Sequence, residues 1–238
     1  MERSAWLARV TCAFLTTLTV VVAGCSESES PRSDPGVRPD SRAAGPRPEP
    51  EGSRPRVVFL GDSLTAGLGL PREQSVPSLI QERLVAEGFR YDVVNAGVSG
   101  DTSAGGLSRL DWSIEGDVAV LVLELGANDG LRGLPIAQLK RNLSEIITRA
   151  KQRGIAVVLT GMEAPPNYGA AYTAEFRQTY RDLAEEHDVV FVPFFLEGVA
   201  GIASLNNSDG IHPNAEGAAI IARRLWGVLE PLLEKHDQ

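Results

Sequence analysis

Four apolar residues in a row, Val57-Val58-Phe59-Leu60, stop at Gly61. An unbroken run of that length, without polar alternation, is the pattern of a strand covered on both faces. Val76, Ile80 and Leu84 then recur at helical spacing, opened by Ser75 as a cap and closed by Gly88. The alternation continues to the C-terminus. Segments 91–94, 118–125, 155–159 and 189–192 read as further strands. Leu139, Leu143, Ile147 and Ala150 mark a helix that Gly154 ends; Phe176, Tyr180 and Leu183 mark another. Ile221, Leu225 and Val228 share one face of a last helix. Strands alternating with helices, without an internal repeat, predict one α/β domain over 56–238 with a mainly parallel sheet. In such sheets the reactive groups gather at the carboxyl ends of the strands.

The chain ahead of this domain has a different pattern. Residues 1–24 have the layout of a secretory signal: Arg3 and Arg9, then an apolar run from Val10 to Ala23 interrupted by Thr and Cys12. The run falls short of the roughly 20 residues of a comfortable membrane span. It ends in Val22-Ala23-Gly24-Cys25, which resembles the lipobox of bacterial lipoproteins, where the cysteine is lipidated and becomes the new N-terminus. An uncleaved anchor helix is the alternative, disfavoured by the Ser-Glu repeat after Cys25. Residues 25–55 read as the lipidated cysteine and a tether, with Pro at 31, 35, 39, 46, 48, 50 and 55 and almost nothing apolar to bury. About 30 such residues span roughly 30 Å. The expected location is the bacterial cell envelope, in the outer membrane if the cell has one.

Charge and cysteine usage narrow the classes further. The net charge is −8, and losing Arg3, Arg9 and Glu2 with the signal makes it one unit more acidic. That balance argues against nucleic acid and against electrostatic docking on anionic lipid, so Cys25 must supply the membrane attachment. Of two cysteines, Cys12 lies in the signal, which leaves neither an internal disulfide nor a cysteine metal site.

The polar motifs fall where the strands end. Gly61-Asp62-Ser63-Leu64 follows the first strand directly; alone, such a serine is more often a turn or a helix cap. No phosphate loop or dinucleotide fingerprint is present. A nucleophilic serine needs a base, and there are three histidines. His236 lies in a polar tail where disorder is the default. His187 sits at a helix end, suited to packing or to the negative helix terminus. His212, in Asp209-Gly210-Ile211-His212-Pro213-Asn214, is favoured by elimination. Asp209 is three residues away, close enough for a turn to bring its carboxylate to one ring nitrogen. Pro213 holds His212 extended, and Asn214 can cap the last helix. An ordinary Asp-Gly turn before a capped helix explains these residues except the histidine. Two more loops can supply donors for a developing oxyanion: one runs from Asn95 to Ser103 and contains Gly100, the other is Gly126-Ala127-Asn128-Asp129-Gly130. Each alone also reads as a plain turn.

Together, in this order, the four motifs resemble those of the SGNH, or GDSL, hydrolase family from about Val57 to about Leu233. The bacterial thioesterase, arylesterase and lysophospholipase branch is nearest, with Asn128 to Gly133, Pro166-Asn167-Tyr168-Gly169 and Pro193-Phe194-Phe195 in support. The resemblance implies a three-layer α/β/α, flavodoxin-like fold of about five parallel strands. It implies Ser63 as nucleophile, His212 as base then acid, and Asp209 as its orienting partner. The Ser63 and Gly100 backbone N–H groups and the Asn128 amide would form the oxyanion hole. Ala127 departs from the glycine common in close relatives. The implied activity is hydrolysis of small carboxylic esters or thioesters through an acyl-enzyme, with no metal or organic cofactor. Loops 131–135 and 164–172 are expected to flank the acyl group, and a charge at Leu134 to hurt long-chain substrates most. Two alternatives remain: an O-deacetylase of carbohydrate or cell wall with the same triad, and a non-catalytic envelope lipoprotein. No protein partner is inferable.

Overall fold

The structure, a computed structural model, describes residues 54–237. The expected signal at 1–24, the lipid site Cys25 and the tether up to residue 53 lie outside the described residues. Five strands form one parallel sheet in the order β2-β1-β3-β4-β5. They are β1 (Arg56–Gly61), β2 (Asp92–Gly97), β3 (Val118–Glu124), β4 (Ala156–Thr160) and β5 (Val190–Val192). Every residue of β3 is buried, as is all of β1 beyond Arg56, which matches the apolar runs 57–60 and 118–123. β2 and β5 lie at the edges and are half-exposed.

Among the described residues, eight α-helices accompany the sheet: α1 (Ser63–Ala66), α2 (Val76–Ala86), α3 (Ser103–Ser108), α4 (Leu110–Ser113), α5 (Ala127–Leu131), α6 (Ile136–Gln152), α7 (Ala170–His187) and α8 (Ala215–His236). The connection from β1 runs to one side, to β2. Those from β3 and β4 run to the other. Parallel crossovers are right-handed, so α2 lies on one face and α6 and α7 on the opposite one. α8 packs against α2, and α6 against α7, which closes both layers. α6 turns Ile136, Leu139, Leu143, Ile146, Ile147 and Ala150 inward; each fully buried leucine or isoleucine contributes about 1.5–3 kcal/mol. The reversal of direction between β1 and β3 opens a crevice at their carboxyl ends, where such sheets bind ligands.

The expected five-stranded α/β/α sandwich is the observed fold, with two local differences. The short helices α1 and α5 lie in segments read as loops, and α3 and α4 lie where the sequence pattern assigns no element. The C-terminal tail, where disorder was the expectation for His236, is helical: α8 runs through Pro231 to His236. Leu229 and Leu233, on either side of the proline, are fully buried and hold the last turns down. The Tyr91 hydroxyl also bonds His236 Nδ1 at 3.0 Å and donates to Asp237.

Candidate active site

Ser63 opens α1 immediately beyond β1. Asp62 caps this short helix by accepting the Leu64 N–H on Oδ1 at 3.0 Å. Gly61 is required at the strand's end: a Cβ there would lie 2.0 Å from Thr65 Oγ1 and 2.6 Å from Glu124 Oε2. The chain can therefore turn tightly enough to present the serine only where no side chain intervenes.

His212 arrives from the loop before α8. That loop is tied back on itself by an antiparallel bridge between Asn206 and Pro213 and by Asn207 N–H to His212 O at 2.8 Å. Asn214 caps α8, its Oδ1 accepting from the Glu216 and Gly217 N–H groups. Asp209 Oδ1 accepts the backbone N–H groups of Ile211 and His212 at 2.9 and 3.0 Å, and Oδ2 lies 2.7 Å from His212 Nδ1. These bonds, the backbone ones foremost, hold the Asp209 carboxyl down to about 2. A carboxylate ionised at neutral pH accepts only, so Nδ1 carries the ring proton and Nε2 is free to accept. Ser63 Oγ stands 2.9 Å from that Nε2. The three groups, 149 residues apart between serine and histidine, form one continuous hydrogen-bonded row.

The two oxyanion candidates enter from separate loops. Gly100 has φ of +87°, the left-handed region that suits glycine, and its carbonyl accepts from Arg132 Nη2 at 2.9 Å. Its N–H has no protein acceptor among the described residues. Asn128 lies in α5, and its Nδ2 donates to Asp62 Oδ2 at 3.1 Å, leaving the second amide hydrogen uncommitted. The next residue fixes the spacing of the two loops. Buried Asp129 accepts the Ser103 N–H at 2.8 Å and the Ser103 hydroxyl at 2.6 Å, while Asn142 donates to that same hydroxyl. Ser63, Gly100, Asn128 and His212 all line a cavity of about 280 Å³, and Leu131, Met162, Pro165 and Leu196 add apolar walls. Leu131 and Pro165 come from the two loops expected to flank an acyl group. Leu134 is not in the lining; it turns its carbonyl to the Tyr172 hydroxyl instead, so the expected role of that side chain moves to Leu131.

Three features had no role in the sequence reading. Asp62 is fully buried, and that burial pushes its carboxyl up to about 6, against the lowering effect of the Leu64 and Asn128 donors. Beneath it, Glu124 is also fully buried and is pushed well above the carboxylate range by desolvation and by the Asp62 charge. Glu124 Oε2 accepts the Thr65 hydroxyl at 2.8 Å and the Asp62 N–H at 3.3 Å; Oε1 has no hydrogen-bond partner among the described residues. The available signal was a lone acid in an apolar strand. The third feature is Arg109, which bonds the ends of β1 and β2. Among the described residues, no cluster of three or more His, Cys, Asp or Glu is placed to hold a metal.

Residues 59–220 match the GDSL-like lipase/acylhydrolase family. The chain is 45% identical over 178 residues to Esterase TesA of Pseudomonas aeruginosa, covering 74% of this chain and 89% of that protein. It is 37% identical over 182 residues to Thioesterase 1/protease 1/lysophospholipase L1 of Escherichia coli, covering 76% and 86% respectively. The crystal structure of the psychrotrophic esterase EstA from Pseudoalteromonas sp., inhibited by monoethylphosphonate, superposes with a TM-score of 0.72 at 32% identity. That match covers 75% of this chain and 98% of the esterase.

Proposed function

The chain belongs to the GDSL-like lipase/acylhydrolase family, and from that premise we propose that it hydrolyses carboxylic esters and thioesters through an acyl-enzyme on Ser63. The observation that carries this reading is the row from Asp209 through His212 to Ser63 Oγ. His212 Nε2 takes the hydroxyl proton as Oγ bonds to the acyl carbon. The resulting oxyanion is met by the Ser63 and Gly100 N–H groups and the free hydrogen of the Asn128 amide. The imidazolium then gives its proton to the departing alcohol or thiol. Water, deprotonated by the same nitrogen, attacks the acyl-enzyme, releases the acid and restores Ser63. Asp209, ionised throughout, keeps the ring in one tautomer and offsets its transient charge. None of these steps calls on a metal or organic cofactor.

The relatives' names, esterase and thioesterase/lysophospholipase, support simple acyl substrates over acetylated polysaccharide. The apolar cavity beside Ser63 supports the same choice. In the full chain, this domain is a lipoprotein held at the bacterial envelope by Cys25 through the segment up to residue 55, with 1–24 removed as a signal. Support for that form comes from the sequence alone. Incorporation of a fatty-acid analogue that Cys25→Ser abolishes would test it.

A fluorophosphonate should label one residue, Ser63, in stoichiometric amount. Ser63→Ala should lower 4-nitrophenyl acetate turnover by about 10⁴-fold or more. Label on another residue, or turnover surviving in Ser63→Ala, refutes the reading.

A further inference from the structure

Between the carboxyl ends of β1 and β2, one guanidinium makes bonds that the chemistry above does not use. Arg109 Nη2 donates to Gly61 O at 2.9 Å, and Nη1 donates to Ala96 O at 2.7 Å. Nε donates to Asp101 Oδ2 at 2.7 Å, and Nη1 also reaches Ser113 Oγ at 3.4 Å. Both partners of the ion pair are largely withdrawn from water, at 18% and 19% side-chain exposure. Gly61 lies two residues before the nucleophile, and Asp101 is the residue after Gly100. Ala96 stands near the start of the loop that carries Gly100. Packing around Asp101 is tight as well: a Cβ on Gly105 would lie 2.7 Å from its Oδ1.

We propose that Arg109 is a positioning residue for acyl transfer: its guanidinium holds the Gly61 carbonyl and the Asp101 carboxylate at one separation and so sets the distance between Ser63 and the Gly100 N–H. This rests on the reading of Ser63 as nucleophile and Gly100 as oxyanion donor. The fork shape matters because four acceptors lie around one planar group. A lysine ammonium in the same space is a point charge that cannot span them. The nucleophile loop and the donor loop come from different strands. The Val98 N–H bonds Gly61 O at 3.0 Å and Gly97 packs closely on the Ala66 backbone, while a longer route runs through Asn128 and Asp129. Among the described residues, Arg109 is the side chain that bonds both loops directly. A shift near 1 Å between nucleophile and donor is enough to cost about 100-fold in rate.

The test uses the full chain with three substitutions: Arg109→Lys, Arg109→Ala and Asp101→Asn. Hydrolysis of 4-nitrophenyl acetate is followed at a temperature where each protein is folded, and rates are expressed per Ser63 titrated with a fluorophosphonate. The expected result is a fall in kcat per titrated site of about 10–100-fold in both Arg109 variants, and a smaller one in Asp101→Asn, with KM within about threefold of the parent. Guanidinium ion at millimolar concentration should restore part of the kcat of Arg109→Ala and leave the parent unchanged. If kcat per site stays within about twofold of the parent in Arg109→Lys and Asp101→Asn, or the whole loss lies in KM, the proposal is overturned. A fall only in the fraction of titratable enzyme also overturns it, since that is a purely structural role. Arg109→Lys and Asp101→Asn keep the volume of the site and carry the test if Arg109→Ala does not fold. A parent that neither labels nor turns over strikes the nucleophile reading itself, and this proposal falls with it.

Discussion

Asn128→Ala separates the oxyanion hole from the rest of the site, because the amide does two jobs that respond to different measurements. One hydrogen of Nδ2 goes to Asp62 Oδ2 at 3.1 Å; in the proposed mechanism the other meets the tetrahedral intermediate. Loss of a single donor of this kind costs about 10²–10³ in kcat, or roughly 3–4 kcal/mol. The interaction is made with charge that develops only in the transition state, so KM should stay within about threefold. The second job is structural. Asp62 is fully buried and would keep only the Leu64 N–H at 3.0 Å on its side chain. An acceptor left short of partners in the interior costs about 1–3 kcal/mol. The lower end applies here, because a carboxyl already pushed up to about 6 can relieve the deficit by taking a proton. Steady-state hydrolysis of 4-nitrophenyl acetate per titrated Ser63 reads the first effect, and urea unfolding at pH 8 reads the second. A kcat loss below about fivefold, or a loss expressed wholly in KM, refutes the role given to Asn128.

Gly61→Ala should nearly abolish turnover, because its methyl group would overlap Thr65 Oγ1 at 2.0 Å and displace the nucleophile turn; activity within twofold of the parent would contradict this. Asp62 gives a pH signature. Its folded value, about 6, lies above the ordinary 3.8, so between about pH 4 and pH 6 the native state holds a proton that the unfolded chain has lost. Stability should therefore fall with rising pH in that window, and Asp62→Asn should remove that part of the slope; a difference in urea midpoints that is flat from pH 4 to 7 would refute it. Leu131 lines the cavity while 47% exposed. Leu131→Glu should lower kcat/KM for the octanoate ester about tenfold more than for the acetate ester, since each methylene that loses an apolar neighbour gives up a fraction of about 0.8 kcal/mol. Equal losses on both esters would place the chain elsewhere.

The elements of this protein were legible in its sequence because each is encoded by residues close together in the chain. The unbroken apolar runs of β1 and β3 require cover on both faces, and the 3.6-residue recurrence in α6 and α8 defines one buried stripe each. Asp209 and His212 could be read as a pair for the same reason: three residues and a turn bring them together. The short helices α1 and α5 could not, since a helix of four or five residues has no period to detect. Nor could the continuation of α8 past Pro231, which depends on the packing of Leu229 and Leu233 against the rest of the fold.

What only the tertiary structure decided is the meaning of the polar residues beside the motifs. Asp62, Asp101, Arg109, Glu124 and Asp129 resemble ordinary loop or strand residues until their partners are known, and those partners are distant in sequence. Thr65 bonds Glu124 across 59 residues, and Gly61 O meets Arg109 across 48. A hydrogen bond between two loops leaves no periodic trace along the chain. Burial acts similarly: the Asp62 carboxyl is pushed up to about 6 because the fold withdraws it from water, not because of its neighbours in the sequence. Local pattern specifies which elements form, and the parallel sheet's reversal between β1 and β3 determines which of their loops face one another.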